Sequence, residues 1–182
     1  MRLLVLLLTA TMLVTGCESL SKQPSSPQDD VMIDLKNKNN ADATKILSNV
    51  LQDNGYTVRK VSQDQFIVTY NQHNYILEPK LMKNSLSRIV VSRLFEIKEE
   101  YQHSPKLFVL VTSLNRDLNF AKFSILPGNR AGHVQTAITF AHETVSLDEI
   151  KQFIAWFDDS LAEVKQMVPR EALDMIKHTS RQ

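Results

Sequence analysis

Residues 145–164 read VSLDEIKQFIAWFDDSLAEV, and this stretch decides the fold class. Ser146 and Glu149 stand three apart ahead of an apolar run, the spacing of a capping box in which each side chain takes the other's backbone N–H. Val145 and Ile150 fit the hydrophobic staple around it. Ile150, Phe153, Ile154, Phe157, Leu161 and Val164 then recur at helical spacing and occupy about a third of the cylinder. Pro169 ends or kinks the helix, and Arg170 to His178 reads as a loose helical tail. A one-sided helix of this length needs an apolar surface to lie on.

The segments before it supply that surface. Ala41 opens a helix that Asn40 or Asp42 can cap, with Ile46, Leu47, Val50 and Leu51 as its stripe and Gly55 as its left-handed stop. Strand patterns follow: Tyr56 to Val61, then Phe66 to Tyr70, then a short Tyr75–Leu77 after the turn Asn71-Gln72-His73-Asn74. A longer strand covers Arg88 to Lys98, with Ile89, Val91, Phe95 and Ile97 on the inner face. Pro105 suits the first turn of a second helix striped by Leu107, Phe108, Val111, Leu114 and Leu118. Phe120–Leu126 and His133–His142 are the last strands, joined through Pro127-Gly128-Asn129-Arg130-Ala131-Gly132, with Val134, Thr136, Ile138 and Phe140 pointing one way. The predicted fold is α+β: an antiparallel sheet of about five strands with helices packed on it, in the order α-β-β-β-α-β-β-α.

The other end of the chain carries a different message. Met1-Arg2 is followed by an apolar run from Leu3 to Val14, and Val14-Thr15-Gly16-Cys17 closes it. A spanning helix needs roughly 20 apolar residues, and Thr15-Gly16 and Glu18 interrupt this one early. The layout resembles a bacterial lipoprotein signal at residues 1–16, with Cys17 as the lipidated first residue after cleavage. Glu18, rather than Asp, points to the outer membrane and places the domain in the periplasm. Glu18 to Asn40, with Pro24 and Pro27 among polar residues, reads as a tether. The alternative makes Val31 to Leu35 a strand or docking peptide. As a tether it holds the domain roughly 25 Å from the lipid, and residues 41–182 form one α+β domain.

Charge and chemistry exclude more than they assign. Without Arg2, the 21 Lys and Arg become 20, against 20 Asp and Glu, so the excess of cations that marks a nucleic-acid binder is missing. Cys17 is the single cysteine; once acylated it leaves no thiol for disulfides, metal ligation or catalysis. His142-Glu143 lacks a second histidine four residues on, where Ser146 stands. His133 and His142 fall on opposite faces of a strand, and His73, His103 and His178 lie in turns or the tail. Ser104, Ser113 and Ser146 lack a nucleophile elbow. Asp158 and Asp159 diverge by about 100° on their helix. No catalytic, metal or cofactor site is expected.

Two features remain as a candidate interaction surface. Lys83, Arg88 and Arg93, with Lys80, form a basic stretch that reads as a solvated face or as a patch for an acidic peptide or the polysaccharide headgroups of the envelope. Trp156, the single tryptophan, stands at the edge of the last helix's stripe, either as a wedge over the core border or as an exposed anchor for a partner or a second copy of the chain.

Two short motifs add a family resemblance. Val111-Thr112-Ser113-Leu114-Asn115 followed by Asn119-Phe120-Ala121-Lys122-Phe123, and Val145-Ser146-Leu147-Asp148-Glu149 after a hairpin, resemble the YbjN-like family over roughly residues 43–168. The fold of that family is similar to the chaperones of type III secretion. The resemblance implies a non-enzymatic domain that binds a protein partner in chaperone or adaptor fashion. The lipoprotein signal and the basic stretch lie outside the family's usual core. A small-ligand or lipid-binding module, using the space between helices and sheet, is the alternative. Asn115 and Asn119 read locally as cap and turn residues.

Overall fold

In a computed structural model, which describes residues 30–83, 85–141 and 143–177, the chain runs β1 (Met32–Asp34), α1 (Asn40–Asp53), β2 (Thr57–Lys60), β3 (Phe66–Tyr70), β4 (His73–Lys80) and β5 (Ser87–Glu96). A 3-10 turn at Glu99–Tyr101 leads to α2 (Pro105–Asp117), β6 (Lys122–Ile125), β7 (Ala131–Phe140), β8 (Thr144–Ser146), α3 (Leu147–Met167) and α4 (Arg170–Leu173). An antiparallel six-stranded sheet has the order β2-β3-β4-β5-β7-β6, and β1 and β8 form a separate pair. The class is α+β, as the patterns predict. The main sheet has six strands because the short run around Tyr75 extends over the whole of His73–Lys80 and pairs on both sides. Pro79 is tolerated inside β4 because β3 pairs no further along it than Leu77, which leaves that side locally an edge.

The capping box forms. Ser146 Oγ accepts from the Glu149 N–H at 3.1 Å, and Glu149 Oε2 accepts from the Ser146 N–H at 3.4 Å. Val145 and Ile150 of the staple are both buried, as are Ile154, Phe157, Leu161 and Val164. They lie on the inner face of the sheet, made by Phe66 and Val68, Tyr75 and Leu77, Ile89 and Val91, Val134, and Phe123. Leu47 and Leu51 of α1 complete this core. The opposite sheet face, with Ile67, Ile76 and Val90 half-buried, joins neither core cluster.

Three expectations change. The fold begins at β1, ahead of residue 41: Met32 pairs with Ser146, Ile33 with Val145 and Asp34 with Thr144, while Ile33 and Leu35 are buried. The end of the expected tether is therefore part of the fold, as the alternative reading of Val31 to Leu35 as a strand has it. Asn39, ahead of the expected Asn40 or Asp42, caps α1 by accepting from the Asp42 N–H at 2.8 Å. Phe108 of the α2 stripe is exposed, and Leu107 is the buried residue of that helix. The α2 helix stands partly off the sheet. Cys17, the signal and the first part of the tether lie outside the described residues.

Candidate functional site

Asp158 on α3 is the centre of a buried polar cluster. The β3–β4 hairpin closes through Asn71 and Gln72, both at positive φ (46° and 65°), with Tyr70 paired to His73. Such a two-residue loop matches the twist of the strands. It aims three side chains at α3. Asn71 Nδ2 donates to Asp158 Oδ2 at 2.9 Å. His73 Nδ1 stands 2.8 Å from Oδ1, and since a carboxylate only accepts, that nitrogen carries the proton. The Tyr75 hydroxyl also donates to Oδ1. Arg93 on β5 completes the cluster, with Nη1 3.7 Å from Oδ1 and 3.4 Å from the Tyr75 oxygen. Its guanidinium lies 4.9 Å from the centre of the Phe95 ring, within cation–π range.

The electrostatics follow from these contacts. Burial acts to raise the Asp158 carboxyl, but donation by Tyr75, Asn71 and His73 outweighs it and holds the group below the usual carboxylate range. Burial, and then donation to Asp158, push the Tyr75 phenol well above its ordinary value. Both carboxylate oxygens are occupied, so this cluster pins the hairpin and β5 to α3. Among the described residues no group of three or more His, Cys, Asp or Glu could hold a metal ion, and no helix is long and apolar enough to cross a membrane.

The expected interaction surface is divided by the fold. Lys83 and Arg88 are exposed. Arg93 is 7% exposed, a correction to the basic patch: it alternates with Val91 and Phe95 on the inner face, where Asp158 compensates its charge. His73, expected in a turn, opens β4 and joins the same cluster. Trp156 is 44% exposed. Its ring stands 5.2 Å from that of Phe153 and 6.0 Å from that of Phe120, centre to centre. Phe120 also meets Phe123 and the fully buried Phe157, so this half-exposed aromatic patch is rooted in the core.

A helical asparagine sets the position of α2 beside that patch. Asn115 Nδ2 donates to the Phe123 carbonyl at 2.8 Å, and its Oδ1 accepts from the Phe123 N–H at 2.9 Å. The side-chain amide thus pairs with the free edge of β6 as another strand would, and bonds back to Val111 O at 3.0 Å. An apolar cleft of about 110 Å³ opens between α2, the inner face of the sheet, the C-terminal half of α3 and α4.

A family model described as "Putative bacterial sensory transduction regulator", YbjN, matches residues 44–168. The chain belongs to the YbjN family. No curated protein matches the sequence. The YbjN region contains the Asp158 cluster and the aromatic patch; β1 and α4 lie outside it. The asparagine motif read in the sequence is the clamp between α2 and β6 in this YbjN chain.

Proposed function

We propose that this protein is a lipid-anchored adaptor of the cell envelope, which binds another protein through the aromatic patch around Trp156 and performs no chemistry of its own. The observation that carries the reading is Trp156 itself. Tryptophan is the residue most enriched at binding hot spots, and here it is exposed while Phe153 and Phe120 hold it in place. A fixed aromatic side chain loses little conformational entropy when a partner covers it. Membership of a family described as a regulator fits a binding role, and the three hydrogen bonds that Asp158 accepts from the β3–β4 hairpin support a structural use for the one buried carboxylate among the described residues.

The sequence of residues 1–17 supports the anchor. A diacylated and N-acylated Cys17, at ~0.8 kcal/mol per buried methylene, holds a chain on a bilayer irreversibly on the cellular timescale. Cys17→Ser should abolish labelling with radioactive palmitate; labelling that persists contradicts the anchor. For the binding role, mild-detergent extracts of cells are compared by native electrophoresis. The wild-type chain should run in a complex and Trp156→Ala as the free chain, with the two proteins melting at similar temperatures. Equal migration of the two contradicts the docking role of the patch.

A further inference from the structure

The cleft under α2 has a floor made by a glycine. Gly132 on β7 pairs with Phe95 of β5 and Ile125 of β6, in an inner-face row where its neighbours carry large side chains. A Cβ at Gly132 would meet nothing closer than 3.8 Å, the nearest atom being the Phe95 carbonyl oxygen. The backbone therefore admits a side chain there, and the empty volume follows from the choice of residue. Unfilled apolar space destabilises a fold, and small domains generally pack theirs to crystal-like density. The walls are apolar almost throughout: Leu110 and Leu114 from α2, Val164 from α3, Leu173 from α4.

One part of them is the stem of a lysine. Lys165 on α3 lines the cleft and is half-buried. Among the described residues no carboxylate lies within ion-pair distance of it. Arg93, whose charge it feels, is already committed to Asp158. Burial and the Arg93 charge push the Lys165 amine below its ordinary value, with Asp158 acting weakly the other way. An anion placed beside it would relieve both effects. An apolar cavity of about 150 Å³ holds a benzene ring, so the present one matches a short run of methylenes rather than a whole phospholipid.

The geometry points to a second binding site, distinct from the aromatic patch: the cleft takes the methyl end of a medium-length straight acyl chain whose carboxylate, outside it, pairs with Lys165. The chain fills the space above Gly132 and the head stays at the rim.

Octanoate and 1-octanol are the probes, titrated into the intact protein and followed by NMR. Octanoate should bind with one-to-one stoichiometry, roughly tenfold more tightly than the alcohol, as a charge-assisted contact implies. Nuclear Overhauser contacts should run from the octanoate methyl group to Leu114 and Val164 in the unsubstituted protein. Lys165→Met should erase the preference for the acid while leaving the alcohol's affinity unchanged. Gly132→Leu should weaken both ligands at least roughly tenfold; if it fails to fold, Gly132→Ala should weaken them in the same direction. The inference is overturned by contacts to residues outside the cleft, by absent binding, or by a Lys165→Met protein that still prefers the acid. It is equally overturned if a peptide of leucines and one aspartate binds in the cleft and octanoate does not.

Discussion

Asp158 follows Ile154 by four residues and precedes Leu161 by three, so the helical period places its carboxylate inside the apolar stripe. Arg93 likewise sits between Val91 and Phe95 at the strand period of two, on the inner face. Each position was legible as an anomaly: one charge of each sign on a face that otherwise carries none. A buried charge needs a partner, and each is the other's. The two-residue geometry of the hairpin was not legible, because Asn71-Gln72 lacks the glycine that usually marks such a loop, and His73 was therefore read as part of the turn. Removing one member leaves the other buried and uncompensated, so Asp158→Ala should cost about 3–5 kcal/mol in urea titration. The pH dependence has a definite sign. A carboxyl whose native pKa is depressed contributes its full stability above the unfolded value of about 3.9, and loses it as the pH falls through the native value. Asp158→Asn should flatten the acid limb of a stability–pH curve measured below about pH 4; an unchanged limb would show that other carboxyl groups govern acid unfolding.

At the level of elements, the three long helices differ in how firmly they are held. The α3 stripe was readable in full, since its cap, staple and apolar period agree with one another. Phe157 is wholly buried against Tyr75, with ring centres 5.9 Å apart, and Phe157→Ala should cost about 3–5 kcal/mol. A loss under about 1 kcal/mol would mean that this face does not bear on the core. The α2 stripe was readable only in period. Val111, Leu114 and Leu118 pack only partly buried at the edge of the core, beside the cleft, and Phe108 is left outside. Asn115 offsets that weak packing by tying the helix to β6. Its role in the edge of the sheet could not be read from spacing, because the partner is backbone eight residues away. Asn115→Ala should destabilise the domain by about 1–3 kcal/mol and speed hydrogen exchange at the Phe123 amide. Unaltered exchange there would contradict the clamp.

At the scale of the whole molecule, both core clusters among the described residues lie on one face of the sheet, and the β1–β8 pair adds Ile33 and Val145 to the larger of them. The first strand was legible only as the alternative reading of Val31 to Leu35, because the run is short and its pairing partner lies more than a hundred positions away. Deleting residues up to 39 should therefore lower stability by several kcal/mol, on the order of 1.5–3 for each large apolar side chain lost, together with the Asn39 cap. A deletion protein that melts like the full chain would return this stretch to the role of a tether. The interaction surface was half legible. Trp156 was marked by its place at the edge of the stripe, whereas Phe120, which supports it from the α2–β6 connection, joins it only in three dimensions.

The most direct measurement of the docking role is site-specific photocrosslinking in living cells, with the reactive amino acid placed at position 156 and, as a control, at the exposed Lys60 on the far edge strand of the sheet. The account predicts one discrete adduct from position 156, either with another protein or with a second copy of the chain, and none from position 60. No adduct from 156, or the same adducts from both positions, would contradict it.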